Sequence, residues 1–276
     1  MAFLFRLLSR LPLPVLHNLG AALGWLIWLL SPTYRRHLRD NIALAGLAHA
    51  RNAAIAEAGK GITETPKIWL RPQDDLLALI AGVAGWEHVE AARQTGRGVI
   101  ILTPHIGCFE IAGQYIASRM PITALYRRPR QDWLAPLMEE GRGRAFTLAP
   151  ADLSGVRRLI KALRQGEAIG ILPDQVPGNG EGVWAPFFGK PAFTMTLAAR
   201  LADTGATPLF VVAERLHYGA GYQLRFQPLS APLAGDLPAR VAQLNREIEA
   251  VIRLCPEQYL WGYNRYKKPS GAPDPQ

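Results

Sequence analysis

From Gly98 onward the sequence alternates short apolar runs with longer stretches of helical period, and this restricts the fold more than any other feature. "GVIILT" reads as a strand, 108–119 as a helix, "ITALY" as a strand, 131–142 as a helix and "AFTL" as a strand. "LSGVRRLIKALRQG" then reads as an amphipathic helix with a serine cap and a terminal glycine, and "AIGILPD" as another buried strand. Such a β–α–β succession predicts an α/β fold with a mostly parallel central sheet flanked by helices. "ATPLFVVAERL" and "GYQLRFQPL" read as later strands, pairing as a hairpin at the sheet's edge, and 237–254 as a final helix.

Open sheets of this kind bind ligands beyond the carboxyl ends of their strands. His105 follows the first of these strands, Tyr126 and Arg127 the second, and Asp174 and Gln175 the strand "AIGIL". In "TPHIGCFE", His105 and Glu110 are five positions apart, which on one helix would splay them by roughly 140°. With His105 ending the strand and Glu110 in the first turn of the next helix, the reversal of the chain can bring them together as a dyad. An imidazole beside a carboxylate can take a proton from an alcohol that attacks a carbonyl. The helix N-terminus would keep Glu110 ionised. Cys108 leaves a Cys–His nucleophile pair open as a competing reading.

Before the sheet, the twenty residues Leu11 to Leu30 carry no formal charge with His17 neutral, and twenty helical residues reach across about 30 Å of hydrocarbon. Arg6 and Arg10 precede this stretch, Arg35, Arg36 and Arg39 follow it, and Trp25, Trp28 and Tyr34 offer interfacial aromatics. Pro12, Pro14 and Asn18 interrupt the pattern, so a helix lying partway into the membrane surface stands beside a spanning one. The expected division is an anchor over 1–31, a catalytic domain over 32–268 and a disordered tail over 269–276. Lys and Arg number 31 against 22 Asp and Glu, a net +9 that suits an anionic membrane, a phosphorylated substrate or an acidic protein. Cys108 and Cys255 stand far apart without neighbouring ligands, which argues against a disulfide framework and a zinc site.

"VAGWEHVEAARQTGRGVIILTPHIGCFEIAG", "ALYRRPR", "GEAIGILPDQVPGNGEGVWAPFFGKPAFTMTLAARL" and "YLWGYNRYKKP" together resemble the bacterial late acyltransferases of lipid A biosynthesis, the lauroyl and myristoyl transferases. The resemblance runs from "YRRHLRDNIALA" to the C-terminal tail. It implies a membrane-associated enzyme of the inner membrane, with its catalytic domain on the cytoplasmic side. The expected reaction moves an acyl chain from an acyl-carrier-protein thioester to a hydroxyl of a phosphorylated glycolipid, the lipid A precursor. On that pattern His105 is the base and Glu110 its partner, Arg127 lies near the oxyanion or substrate phosphates, and Asp174, with Gln175 beside it, shapes the site. The family commonly has Asn and Trp where this chain has Cys108 and Phe109, a change in the packing around the dyad that could shift substrate preference.

A thioester is already activated, so no metal or other cofactor is expected; the chemistry needs a base, oxyanion stabilisation and an apolar slot. "PFFGKPAF" could line that slot or be core. From Arg119 to Arg164 ten Arg or Lys face four Asp or Glu, which fits a phosphorylated glycolipid and an acidic carrier protein alike. Acylation of another membrane lipid, such as a lysophospholipid, a glycolipid or an amino-acid lipid, would use the same residues. A basic nucleic-acid-binding protein would need a reading module, which the sequence does not show.

Overall fold

A computed structural model of the chain describes residues 2–129, 131–178 and 181–275. Four helices come first: α1 (Ala2–Arg10), α2 (Leu13–Leu30), α3 (Pro32–Leu44) and α4 (Arg51–Leu70). The short α5 (Gln73–Leu77) leads into β1 (Ile80–Ala84), α6 (Trp86–Gln94), β2 (Val99–Leu102), α7 (Phe109–Ala117), β3 (Ile122–Tyr126) and α8 (Ala135–Gly143). Next come β4 (Thr147–Pro150), α9 (Leu153–Arg164), β5 (Ala168–Ile171), the hairpin β6 (Gly182–Phe187) and β7 (Lys190–Met195), and α10 (Leu197–Ala202). The chain closes with β8 (Thr207–Arg215), β9 (Tyr222–Pro228) and α11 (Leu237–Ile252).

Seven strands form one sheet in the order β1-β9-β8-β2-β5-β3-β4. Its pairings are parallel except that of β8 with β9. Every residue of β2 and β5 is buried: helices cover both faces, so these strands read as continuous apolar runs without alternation. β2 lies between β8 and β5, with Leu102 opposite both Phe210 and Ile171. The chain therefore leaves β2 and β5 side by side, at one level on the carboxyl edge.

Several expectations change. The β8–β9 hairpin is not at the edge, because β1, whose "IAGVA" carries no clear alternation, adds in parallel outside β9. Asp152, not Ser154, caps α9, accepting from the backbone N–H groups of Ser154 (2.8 Å) and Gly155 (3.0 Å). "PFFGKPAF" forms the turn of the separate β6–β7 hairpin, and Phe187, Phe188 and Phe193 are buried in core rather than in a slot. The tail expected to be disordered packs on that hairpin: Ala272 is buried, and the Trp184 indole donates to the Pro273 carbonyl at 2.8 Å.

The N-terminal segment lies on the domain. α2 runs along α4 with glycines at the contact: a Cβ on Gly24 would be 2.0 Å from the Ile55 carbonyl oxygen, and one on Gly59 1.9 Å from that of Gly20. Helices approach this closely only through small residues. Leu13, Leu16 and His17 are buried on the inner face, and Thr63 donates to the Leu16 carbonyl at 2.7 Å. The expected division at residue 31 thus coincides with no gap in packing. Outward, α2 exposes Val15, Leu19, Trp25, Leu26, Leu29 and Leu30, and α1 adds Phe3, Leu4 and Leu7. α2 is long and apolar enough to cross a membrane by length and composition, with a mean hydropathy of 1.6. One face of α2 is thus buried on the domain and the other is apolar and exposed.

Candidate active site

Beyond Leu102 the chain leaves the sheet through Thr103–Cys108, and α7 opens at Phe109. This loop is held from several directions. Leu260 donates its N–H to the His105 carbonyl (3.0 Å), Gly107 donates to Gln258 (3.1 Å), and Cys108 donates to Ala213 (2.8 Å). Gly107 has φ +60°, and a Cβ there would meet the Ala213 oxygen at 1.9 Å, so the tight turn that aims His105 requires glycine.

His105 meets Asp174, which follows the neighbouring strand. The ring Nδ1 is 2.8 Å from Oδ1, and the His105 backbone N–H donates to Oδ2 at 3.0 Å. Burial alone would raise the Asp174 pKa, but the His105 ring and the backbone N–H outweigh it and hold the carboxyl below its usual range. With Nδ1–H donated to that carboxylate, Nε2 is the accepting nitrogen. It lies 3.1 Å from the Gln175 amide nitrogen, which can donate to it. Phe109 packs edge-on to the ring at 5.0 Å.

The expected His105–Glu110 dyad is not a hydrogen-bonded pair. Glu110, in the first turn of α7, is gripped by Arg142 at the end of α8: Nε donates to Oε2 at 3.0 Å and Nη2 to Oε1, a two-pronged ion pair. Burial tends to lower the Arg142 pKa, but Glu110 more than offsets it, so the guanidinium stays charged. Arg127 is exposed after β3 and makes no hydrogen bond among the described residues; Tyr126 beside it donates to Glu139 at 2.8 Å. Arg142 was not foreseen, since nothing in "MEEGRGRA" marks one arginine above its neighbours. Cys108 is buried, and burial, with Glu64 nearby, pushes its thiol well above the ordinary range, so it is not a ready thiolate.

His105 and Glu110 share the wall of a cavity of about 430 Å³, which is also lined by Phe5 of α1, Trp69 of α4 and Trp133. A narrower slot of about 50 Å³ runs from Phe109 and Glu110 between α7 and the sheet, with Arg142 at the same end. Beside the larger cavity lies a buried ionic cluster. Arg215 donates to Glu64 (2.8 Å), Glu57 (3.3 Å) and the Gly107 carbonyl (2.8 Å), while Glu64 also meets His17 (3.0 Å) and accepts from Tyr222 (2.9 Å). Burial opposes ionisation of Glu64, but Arg215 and His17 overcome it and bring its pKa down to about 2. Arg215 also escaped the sequence reading, because its partners come from α4, the His105 loop and Gln258, all far from it in sequence.

A carboxylate-oriented histidine at the carboxyl edge of an α/β sheet, on the wall of a large cavity, is the arrangement of an enzyme that uses a base on a bound substrate. Residues 1–268 match the model of the bacterial lipid A biosynthesis acyltransferases, and the chain belongs to that family. It is 30% identical to the lipid A biosynthesis lauroyltransferase of Escherichia coli K12, over 97% of this chain and 90% of that one. Identity is also 30% to the palmitoleoyltransferase of the same organism, over 94% and 87%. With its myristoyltransferase it is 26%, over 64% and 56%.

Proposed function

We propose that this acyltransferase moves a fatty acyl chain from an acyl-carrier-protein thioester to a hydroxyl of a phosphorylated lipid A precursor, at the cytoplasmic face of the inner membrane. The observation that carries this reading is His105, on the wall of the 430 Å³ cavity with its Nδ1 fixed by Asp174. The acceptor hydroxyl displaces the Gln175 amide from Nε2 and gives up its proton there as its oxygen attacks the thioester carbonyl. Asp174 stabilises the imidazolium that results. The tetrahedral intermediate collapses by breaking the C–S bond, and the imidazolium returns the proton to the departing sulfur. An ester and a free thiol are left, and no other reactant is consumed.

Arg142, whose fork Glu110 fixes at the end of the slot that adjoins the cavity, adds an anion-binding group to the exposed Arg127, which stays available for a substrate phosphate. Glu110 thereby acts on the site through Arg142. Purified protein incubated with acyl-charged carrier protein and lipid A precursor should raise the acceptor's mass by one acyl group, and His105→Ala should abolish the gain. An acylated phosphoglycerolipid as the preferred product from mixed membrane lipids would place the enzyme on another acceptor. Equal rates with a coenzyme A thioester would remove the carrier protein from the reaction.

A further inference from the structure

The slot of about 50 Å³ lies between α7 and the central strands, lined by Ile101, Ile116, Ile122, Ala124, Gly170 and Val211. Its polar lining, Thr103, Glu110 and Arg142, gathers at the carboxyl edge of the sheet. Protein interiors are close-packed, and an apolar void forfeits contacts on every side. At roughly 10–15 Å³ per water-sized group, the slot takes about three or four methylene-sized groups. It can house the end of an acyl chain, not its whole length.

Gly170 is the residue that opens it. In the parallel register Gly170 stands opposite Ile101 on one side and Ala124 on the other, so two small residues hollow the sheet directly beneath α7. No left-handed φ requires glycine there, and a Cβ would meet its nearest neighbours, Ile122 Cδ1 at 3.6 Å and Ala124 Cβ at 3.7 Å, in ordinary contact. A mid-strand glycine weakens a sheet, and here neither backbone conformation nor a neighbouring chain demands one. The missing side chain is space. Ile122, one layer further from the carboxyl edge, closes the slot below it: Ala168 pairs with Ile122, and Gly170 with Ala124.

We propose that this slot receives the methyl end of the donor acyl chain and that Gly170, with Ile122 below it, sets the chain length the enzyme accepts. The inference rests on the acyl-transfer reading above. The chain would run from the thioester at His105 past Phe109, the edge shared by cavity and slot, and its last carbons would fill the void. One carbon too many meets Ile122, and one too few leaves a gap.

The test is a competition, with full-length protein, among carrier-protein donors charged with saturated chains that differ by two carbons. Relative to wild type, Gly170→Ala should cut use of the longest accepted chain against the next shorter by roughly 4- to 15-fold, the worth of one to two methylenes at about 0.8 kcal/mol each. Ile122→Ala should move preference the other way, so the proposal does not hang on one variant's folding. Wild type transferring no acyl chain would sink the acyl-transfer reading and this inference with it. Normal wild-type transfer with unchanged profiles in both variants would sink the inference alone. So would a shift that follows the acceptor's existing chains instead of the donor's.

Discussion

With Nδ1 turned to Asp174, His105 is left with Nε2 as its accepting nitrogen, and two substitutions separate base from orienting group. His105→Ala should lower kcat by about 10² to 10⁴, the usual worth of a positioned base, with thermal stability nearly unchanged. Asp174→Asn keeps the shape but loses the carboxylate that fixes the tautomer, so kcat should fall with little change in KM. Cys108→Ser should keep most activity; a loss as deep as that of His105→Ala would restore the thiol as nucleophile. Glu110→Ala and Arg142→Ala should each be impaired, and the double variant no worse than the more damaging single one, because the two act as a unit. Additive losses would show that they act separately. His105, Asp174 and Gln175 were legible as strand exits, but the pairing was not. Which carboxylate reaches the imidazole depends on β2 and β5 being neighbours, and the period of a strand says nothing about its order in the sheet.

At the scale of elements, α2 and α4 share the buried cluster that also holds the His105 loop through Arg215 and Gly107. Glu64→Gln leaves Arg215 buried with a weakened counter-charge and should destabilise the protein by about 3–5 kcal/mol, read by urea unfolding in detergent. The pH dependence has a definite sign. Glu64 titrates lower in the folded protein, about 2 against an ordinary 4.5, so its stabilisation is fully present above pH 4.5. It is lost as pH falls towards 2. The stability gap between wild type and Glu64→Gln should close across that window; a constant gap would mean that the carboxylate's charge is not what matters. α2 was legible as a long apolar run interrupted by Pro12, Pro14 and Asn18, but the part played by Gly20 and Gly24 was not. They are its contact face, a meaning that appears only once α4 is laid against them.

For the whole molecule, α1 carries both exposed apolar residues and Phe5, which lines the larger cavity, and α2 exposes a further apolar face; on the proposed function these faces seat the enzyme on the membrane. Leu26→Glu with Leu30→Glu should reduce flotation with anionic vesicles while leaving the melting temperature nearly unchanged, since both side chains point outward. Vesicle binding unaffected by this pair would move the membrane contact elsewhere. Removal of 1–31 should not yield a well-folded soluble domain, because it strips Leu16 and His17 from the core and leaves Glu64 without one partner. A cooperative melt at the full-length temperature would show the segment to be separable. The β–α–β order foretold the sheet from β2 to β5; β1 stayed hidden because its partner β9 lies far along the chain.

The backbone clamp on the His105 loop also has a consequence in time. Gln258 and Leu260, which hold Gly107 and His105, are made well after the loop they fasten, whereas α1 and α2 are made before it. The apolar face of α2 is therefore complete in the growing chain while the His105 loop still lacks its fasteners. Competence would arrive only when the carboxyl-terminal stretch closes over a loop made some 150 residues earlier.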